Sequence, residues 1–410
     1  MLRIQHSSWL RGTITVSGSK NAALPLIAAN YLIDEQVTLT NEPWILDVKR
    51  LHEVAQLAKE VSTHWRYDLT DPLVQKMRAS ILLIPVWLRH FWTVKFIWSG
   101  WCKLGKRSLD TFDQAFEDAG VTISDGEFKT YTATWTPKKD IILNEFSVTT
   151  AEALITYLAF HNDISEVTVR QIPVEPHVIN LIDFLRNAGA DITQHYDNSV
   201  TIRKATIALQ HTSFGIVGDY LEAGLFCCLG AAVDDSNLTI TWLPMNDLHA
   251  MFNICRQIGI NYEIIDEQTF RVDSKNKANY QAPKKLESRF HPWFATDMLP
   301  KFVALLTQCH GVSKVFETLF EGRFAYLAEL QNLGAQIEML NPHQALVLWP
   351  TPLKWWYVAS TDIRGGGAML VAGTIAAWET IITNEEMIHR GYDNIVNKMQ
   401  SIGIHITSFT

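Results

Sequence analysis

The sequence predicts an α/β protein of two similar domains, each containing three α/β units. Three observations support this prediction. A strand–turn–helix–strand pattern recurs six times, the glycines that end its helices recur at near-constant spacing, and 410 residues exceed the size of one ordinary domain. Hydrophobic residues make up 47% of the chain and charged residues 19%, which is typical of a water-soluble globular protein.

The repeated pattern is clearest in the stretch EVTVRQIPVEPHVINLIDFLRNAGADIT, residues 166–193. A short strand rich in β-branched residues comes first and is followed by a turn that contains proline. An amphipathic helix follows and ends at Gly189, because glycine adopts the left-handed conformation of a helix C-terminus at little cost. A second strand completes the unit.

Five of the six copies end their helix at a glycine. Successive glycines are separated by 69, 70, 75 and 69 residues, at Gly120, Gly189, Gly259, Gly334 and Gly403. The first copy has Lys59 at this point. Each period also contains a further apolar helix, such as residues 149–160 or 296–308. The aromatic run 81–101 is interpreted as a buried helix followed by a strand. Six units divided three and three predict two domains; the alternative is that common βα units give an accidental period.

Composition and charge exclude several functional classes. The net charge of −8 argues against a nucleic-acid binder, which needs a basic surface. The chain has no uninterrupted apolar run of 18 residues and no apolar signal core, so no membrane span is expected. Five cysteines without a CxxC pair argue against a disulfide framework or zinc site and favour a reducing compartment, hence a cytoplasmic location. Without a metal-ligand cluster or a glycine-rich cofactor loop, we expect no metal and no cofactor.

Nine short motifs are spread along the chain: GSKNAALPLIAA at residue 18, MRASI at 77, CKLGKR at 102, VEPHV at 174, DYLEAG at 219, FATDM at 294, ETLFEGRF at 317, TDIRGG at 361 and HRGYD at 389. From about residue 12 to the end, their order and gaps resemble the enolpyruvyl transferases, in the branch that acts on UDP-N-acetylglucosamine. The resemblance implies two inside-out α/β barrel domains, each of three repeated βαβαββ-like units. Residues 20–217 would form the first domain, with the Cys102 loop. Residues 1–19 and 219–410 would form the second, which carries Asp297, Arg323, Arg364 and Arg390.

The resemblance also implies a reaction and two substrates. The family branch moves the enolpyruvyl group of phosphoenolpyruvate onto the 3-hydroxyl of UDP-N-acetylglucosamine and releases phosphate. This is the first committed step of peptidoglycan precursor synthesis, and fosfomycin inhibits it. Two alternatives stay open: a catalytically weak or silent paralogue that binds a UDP-sugar, and a transferase of the same fold that uses another hydroxyl acceptor. No oligomeric state is indicated.

Phosphoenolpyruvate carries a phosphate and a carboxylate, so its site requires several fixed cations. The residues that the resemblance assigns to it are Lys20, Asn21, Arg78, Arg107, Arg323, Arg364 and Arg390. For any single arginine the alternative is a solvated surface charge. The occurrence of these cations inside matched motifs favours the functional interpretation. Asp47 and Asp362 align with further residues near the site.

The reaction needs a proton delivered to the methylene carbon and one removed from the sugar hydroxyl. By resemblance Cys102 delivers the first, Asp297 accepts the second, and Lys20 completes the catalytic set. The cations Lys103, Lys106 and Arg107 are expected to lower the pKa of the Cys102 thiol. Asp297 also fits an N-terminal helix cap, because it precedes an apolar helix. The other four cysteines are interpreted as core residues: Cys227, Cys228, Cys255 and Cys309.

The UDP-sugar end of the site is assigned by resemblance alone. Its residues would be Asn21, Arg78, Arg107, Ser108, Leu109, Asp110, Ser147, Val148, Thr149, Asp297 and Leu319. For residues 147–149 the alternative is an ordinary helix entry. The chain departs from the family in several places. Trp101 and Trp293 occupy positions where the family has glycine, and Glu145 stands where some members place lysine.

Overall fold

Residues 1–61, 66–97 and 109–409 are described by the computed structural model of this chain. In chain order the strands are β1 Leu2–Gln5, β2 Leu10–Thr15, β3 Thr38–Thr40, β4 Arg66–Leu69, β5 Thr93–Phe96, β6 Val121–Ser124, β7 Lys129–Ala133, β8 Asp140–Ile142, β9 Glu166–Arg170, β10 Asp191–Gln194, β11 Val200–Arg203, β12 Ser213–Gly215, β13 Ser236–Thr241, β14 Asn261–Asp266, β15 Thr269–Asp273, β16 Lys285–Glu287, β17 Val312–Phe316, β18 Ile337–Asn341, β19 Gln344–Leu348, β20 Tyr357–Ala359, β21 Glu379–Thr383 and β22 Ile406–Ser408.

The helices alternate with these strands. They are α1 Lys20–Leu32, α2 Leu46–Val61, α3 Pro72–Gln75, α4 Leu83–Phe91, α5 Asp110–Asp118, α6 Val148–Leu158, α7 Pro176–Asn187, α8 Tyr220–Ala232, α9 His249–Ile258, α10 Leu299–Leu306, α11 Ala325–Asn332, α12 Ile363–Ile375, α13 Glu385–His389 and α14 Ile395–Ser401. Short 3₁₀ turns occur at Arg78–Leu82, Met245–Leu248, Lys277–Asn279 and Glu321–Phe324.

The described chain divides into two compact units. The larger unit contains residues 1–17 and 218–409, and the smaller unit contains the described residues between 18 and 217. The chain therefore passes from one unit to the other twice. Each unit has its own continuous hydrophobic core.

The described strands form five four-stranded sheets and one two-stranded sheet. Every four-stranded sheet has the same plan, in which a parallel pair is extended by two antiparallel strands. In the sheet β10-β11-β9-β8, for example, β8 and β9 are parallel, whereas β11 is antiparallel to both of its neighbours. One sheet joins the two ends of the chain, because β1 pairs with both β21 and β22. The repeat predicted from the glycine spacing therefore corresponds to one sheet topology, which occurs five times among the described strands.

The five helix-ending glycines all have positive φ, between 85° and 101°, at Gly120, Gly189, Gly259, Gly334 and Gly403. This confirms the prediction that glycine ends these helices in the left-handed conformation. The first copy differs, since α2 continues past Lys59 to Val61. The interpretation of the run 81–101 as helix followed by strand is confirmed by α4 and β5 within the described part of that run.

Buried helices lie at the centre of each unit, and the sheets cover them. All thirteen residues of α8 are buried, and α8, α10 and α12 pack against one another in the larger unit. In the smaller unit α1, α4 and α6 pack together in the same way. Strands such as β1 and β13 alternate buried with more exposed residues, so one face of each sheet lies toward solvent. None of the helices in the described ranges has the length and apolar character that crossing a membrane requires.

A buried ion pair fixes the segment after β2 within the larger unit. The Lys398 ammonium donates to Glu222 Oε1 at 2.6 Å, and the Ser17 amide donates to Glu222 Oε2 at 2.7 Å. The Glu222 side chain is only 2% exposed. Burial raises the pKa of Glu222, and the attraction of Lys398 offsets only part of that increase. The pair therefore holds a costly buried charge in place.

Replacing Lys398 with methionine should lower the free energy of unfolding by about 3–5 kcal/mol, because it leaves the Glu222 carboxylate buried without its cation. Urea unfolding measures the change. The double variant Glu222→Gln/Lys398→Met should recover most of the loss, since it removes both charges. Lys275→Gln is the matched control, because that side chain is 78% exposed. A Lys398→Met variant as stable as this control would contradict the assignment.

Candidate active site

The central feature of the larger unit is a carboxylate held between two buried arginines. Arg323 Nη2 donates to Asp297 Oδ1 at 2.8 Å, and Arg364 Nε donates to Asp297 Oδ2 at 2.8 Å. The arginine side chains are 3% and 4% exposed, whereas that of Asp297 is 24% exposed. Three residues that lie far apart in the sequence are thereby brought together, and the carboxylate keeps an open side.

Local structure positions each of the three side chains. Asp297 lies in the turn before α10, Arg323 lies in the 3₁₀ turn before α11, and Arg364 is in the first turn of α12. Asp362 caps α12, because its Oδ1 accepts the amide hydrogens of Arg364 at 2.8 Å and Gly365 at 3.1 Å. The same carboxylate oxygen lies 3.9 Å from Arg323 Nη1.

The expectation that Asp297 caps the following helix is wrong. Met298 occupies the N-cap position of α10, and that position has no side-chain capping hydrogen bond. Both carboxylate oxygens of Asp297 are instead engaged by guanidinium groups. Charge-assisted hydrogen bonds of this kind are stronger than bonds to a backbone amide, so the arginines decide the orientation of the carboxylate.

The electrostatics of this cluster follow from its burial. Burial alone would raise the pKa of Asp297, but the attraction of Arg364 and Arg323 outweighs it and holds that pKa well below its usual range. Burial by itself would lower the pKa of Arg364, and the Asp297 carboxylate more than reverses this. Asp297 and Arg364 are therefore charged at neutral pH, and the two arginines face two carboxylates, because Asp362 Oδ1 lies 3.9 Å from Arg323 Nη1.

The two arginines also carry hydrogen-bond donors that the described residues do not satisfy. Arg323 Nε and Arg364 Nη1 are buried and have no hydrogen-bond partner there. A buried donor without a partner costs free energy, and a charged one costs more. Two fixed guanidinium groups with N–H donors to spare are suited to binding the oxygens of an anion.

A second buried carboxylate connects the Asp297 turn to its neighbours, and the sequence analysis missed it. Glu317 is fully buried. Its Oε2 accepts from Thr296 Oγ1 at 2.7 Å, and its Oε1 accepts from the amides of Leu319 at 2.9 Å and Phe320 at 3.1 Å. The sequence signal that could have identified Glu317 was its position in the motif ETLFEGRF. Glu317 thus orients both the residue before Asp297 and the segment that contains Leu319.

The smaller unit contains the predicted cation Lys20 and its carboxylate partner. Lys20 is the first residue of α1, and its Nζ donates to Asp47 Oδ2 at 3.3 Å. The two side chains are 12% and 5% exposed. Asn21 follows Lys20 on α1, and Arg78 begins the 3₁₀ turn Arg78–Leu82. The Lys20 ammonium is thus held in place by a carboxylate from α2.

The predicted UDP-sugar residues that the structure describes in the smaller unit lie at or near helix starts. Ser147 caps α6 by accepting the amide hydrogen of Thr150 at 3.4 Å, which confirms the helix-entry alternative for residues 147–149 as local structure. Leu109 is buried immediately before α5, and Asp110 begins that helix. Helix N-termini present free amide groups to anions, so this placement is compatible with a diphosphate.

Several predicted residues fall outside the described part of the chain. They are Trp101, Cys102, Lys103, Lys106, Arg107 and Ser108. Their roles stay predictions. The prediction for the remaining cysteines is confirmed, since Cys227, Cys228, Cys255 and Cys309 are free and buried. Arg390 follows α13, and its Nη1 lies 3.8 Å from Met387 Sδ. Within the described ranges, no group of three or more His, Cys, Asp or Glu side chains could hold a metal ion.

Replacing Asp297 with asparagine should lower the free energy of unfolding by about 3–5 kcal/mol, because two buried guanidinium groups lose their shared anion. The folded-state pKa of Asp297 lies below its unfolded value of about 3.9. Its contribution is therefore present above about pH 4 and is lost as the pH falls. Denaturant unfolding between neutral and acid pH should show this loss in the wild type and not in Asp297→Asn. Asp183→Asn is the control, with a side chain 51% exposed; equal effects of the two variants would contradict the prediction.

Comparisons with known proteins agree along nearly the whole chain. The family model for EPSP synthase (3-phosphoshikimate 1-carboxyvinyltransferase) matches residues 4–399. A protein of Helicobacter hepaticus, named UDP-N-acetylglucosamine 1-carboxyvinyltransferase, is 30% identical over 421 residues, which cover 99% of this chain and 98% of the relative. A protein of Sulfurimonas denitrificans with the same name is 31% identical over 423 residues, with the same shares covered.

Solved structures show the same fold. The enolpyruvyl transferase NikO from Streptomyces tendae matches with a TM-score of 0.84 at 18% identity, over 99% of this chain and 98% of its own. An EPSP synthase from Acinetobacter baumannii matches with a TM-score of 0.71 at 13% identity, over 99% of both chains. These likenesses confirm the expected α/β fold. With the family model covering residues 4–399, the chain belongs to the EPSP synthase family of enolpyruvyl transferases.

Proposed function

We propose that this protein transfers the enolpyruvyl group of phosphoenolpyruvate to the 3-hydroxyl of UDP-N-acetylglucosamine and releases phosphate. Relatives at 30–31% identity over nearly the full length carry the name of that activity. The observation that most supports the proposal is the pair of buried arginines around Asp297, with donors left over for an anion. A substrate with both a phosphate and a carboxylate matches two guanidinium groups that still have N–H donors to offer.

In this proposal Arg323, Arg364 and Arg390 hold the anionic groups of phosphoenolpyruvate, together with Lys20, Arg78 and Arg107. The planar guanidinium group pairs two oxygens at once and so fixes orientation as well as position. The open side of Asp297 and the spare N–H groups of its two arginines support this assignment. Asn21, Asp110, Leu319 and residues 147–149 are assigned to the UDP-sugar.

The proton steps are assigned to Cys102 and Asp297. The sugar oxygen adds to C2 of phosphoenolpyruvate while Cys102 gives a proton to C3 and Asp297 takes the hydroxyl proton. Loss of a C3 proton together with phosphate then restores the double bond in the product. The protons balance, because one is added at C3 and one is removed again.

Asp297 becomes an effective base only when its arginines are partly engaged elsewhere. A carboxylate whose pKa lies well below its usual range is a weak base. The phosphate and carboxylate of phosphoenolpyruvate offer the same guanidinium groups new oxygens, so substrate binding raises the pKa of Asp297. Phosphoenolpyruvate binding therefore comes before Asp297 can act as a base.

Phosphate release in the presence of phosphoenolpyruvate and UDP-N-acetylglucosamine tests the proposal. We expect release that requires both substrates. Arg323→Met should lower kcat/KM by about a hundredfold or more, because a buried charged donor to the substrate is lost. Lys275→Gln, an exposed cation of the same unit, should leave the rate unchanged.

The choice of acceptors separates the alternatives. Release with another UDP-sugar, or with shikimate 3-phosphate, but not with UDP-N-acetylglucosamine would overturn the proposed acceptor. Absence of release with every acceptor, while a UDP-sugar still binds, would identify a silent paralogue. Wild-type rates for Arg323→Met would remove the arginine pair from the proposed mechanism.

A further inference from the structure

Lys301 is a fully buried cation in the apolar helix α10, close to the Asp297 cluster. Its Nζ donates to the Leu221 carbonyl oxygen at 2.8 Å and lies 3.4 Å from Tyr392 Oη. No carboxylate of the described residues lies within 4.0 Å of it in an ion pair. An ammonium group buried in this way is costly, and a methionine of similar length would avoid the cost.

The contacts of Lys301 join segments that carry the proposed site. Asp297 precedes it by four residues, and Tyr392 follows Arg390 by two. A β-carbon at Gly367 would lie 3.2 Å from Lys301 Cγ, so α12, which carries Arg364, packs directly against the lysine stem. We propose that Lys301 is a positioning residue for the transfer reaction: its ammonium fixes the turns of Asp297 and Arg390 against α12 and adds to the positive potential there. This inference rests on the proposed function.

The protonation of Lys301 provides a readout that a simple packing role would not give. The groups that face it are Arg364 on α12, Asp219 and Cys228 at α8, Asp297, and Tyr392. Burial is the largest cause that lowers the pKa of Lys301 to about 7, and repulsion from Arg364 is the second. The attraction of the Asp219 and Asp297 carboxylates opposes this shift only in part. The contribution of its charge to substrate binding is therefore lost as the pH rises above 7.

The test compares Lys301→Gln and Lys301→Met with the exposed control Lys275→Gln. In the wild type and the control, kcat/KM for phosphoenolpyruvate should fall as the pH rises above 7, and both Lys301 variants should lack that limb. At pH 6.5 we expect Lys301→Met to lose about ten- to a hundredfold in kcat/KM, with Lys301→Gln recovering part of it through its amide donor. Both variants should remain folded. The wild type and the control, unlike the two Lys301 variants, should gain stability from this group between pH 7 and about 10, because the unfolded state binds the proton that the folded state releases.

The outcomes separate this inference from the proposed function. Normal turnover with an unchanged pH profile in Lys301→Met would overturn the role of Lys301 and leave the function intact. If the wild type releases no phosphate, the proposed function fails, and calorimetric binding of inorganic phosphate then decides the role of Lys301. Binding that weakens above pH 7 in the wild type but not in Lys301→Met supports the inference, and identical binding overturns it.

A second, independent observation concerns tryptophan in the left-handed backbone region. Trp92, Trp242, Trp349 and Trp378 have φ values of 59°, 68°, 35° and 79°. A bulky residue in this region is a genuine outlier, whereas glycine adopts it freely. Three of the four side chains are 60–79% exposed, at Trp92, Trp349 and Trp378, so little packing offsets the backbone cost.

The internal repeats place a glycine of positive φ at the position that corresponds to Trp92 and Trp378. Gly311, at φ 103°, directly precedes β17, and its carbonyl oxygen accepts from the residue after β19 at 3.0 Å. Trp92 directly precedes β5, and its carbonyl accepts from Ala133 in the antiparallel neighbour at 2.8 Å. Trp378 precedes β21, and its carbonyl accepts from the residue after β1, also at 2.8 Å. The same position with the same hydrogen bond is thus glycine once and tryptophan twice among the copies with positive φ, whereas Ser165, directly before β9, accepts from Lys204 at 3.1 Å without a positive φ.

The chain contains 14 tryptophans but only 21 glycines in 410 residues. We infer that the protein carries glycine at these four positions in the cell that makes it. The codon at these positions, which standard translation gives as tryptophan, is translated as glycine in that cell. UGA differs by one base from a tryptophan codon and from a glycine codon, so one change in decoding accounts for all four. Trp101 and Trp293, which stand where the family has glycine, extend the pattern. Trp87 differs, because it is buried and packs 6.0 Å from the Tyr31 ring.

Mass spectrometry of peptides from the protein purified from its own cells tests this inference. We expect glycine at positions 92, 242, 349 and 378 and tryptophan at 87; tryptophan at all of them would overturn it. The backbone argument has its own test in the recombinant chain. Trp378→Gly and Trp349→Gly should each raise Tm by about 2–4 °C, whereas the matched change Trp87→Gly should lower it. A fall in Tm for the first two variants would contradict the glycine requirement.

Discussion

The ion triplet of Arg323, Asp297 and Arg364 is the interaction on which the chemistry of the larger unit depends. Two guanidinium groups can be buried side by side because Asp297 lies between them and Asp362 lies 3.9 Å from Arg323. The N–H groups that have no partner among the described residues suit an anionic substrate, so the arrangement that stabilises the cluster also prepares it for binding. Its cost is a carboxylate that is a weak base until the substrate arrives.

Close packing of central helices makes this burial possible. The glycines that follow Arg364 let α12 approach its neighbours, since a β-carbon at Gly366 would lie 2.6 Å from Ile388 Cγ1 and from Ser360 Oγ. The first turn of α12 is thereby drawn into the interior, where the cap by Asp362 satisfies its amides. Sheets around the helices exclude water from the same region, and polar groups such as Glu317 and Lys301 gain specific partners there instead.

Residues close in sequence explain the parts of the fold that could be predicted. A helix stop requires one glycine at one position, so Gly120, Gly189, Gly259, Gly334 and Gly403 reveal the repeat without any tertiary information. Apolar periodicity likewise identifies the buried helices and the four core cysteines. The assignment of Asp297 as a cap failed for the opposite reason: its competing partners, Arg323 and Arg364, lie 26 and 67 residues away.

By itself, then, the sequence determined the repeated α/β plan, the family and the set of charged residues expected at the site, because these depend on local propensity and on ordered motifs. Tertiary structure alone decided which charges meet. It placed Lys301 in the core beside Tyr392, made Glu317 an acceptor for two separate segments, and left donors of two arginines without a partner among the described residues. Those outcomes depend on burial and on distances between helices that are remote in the chain, and the pKa values of the site follow from them.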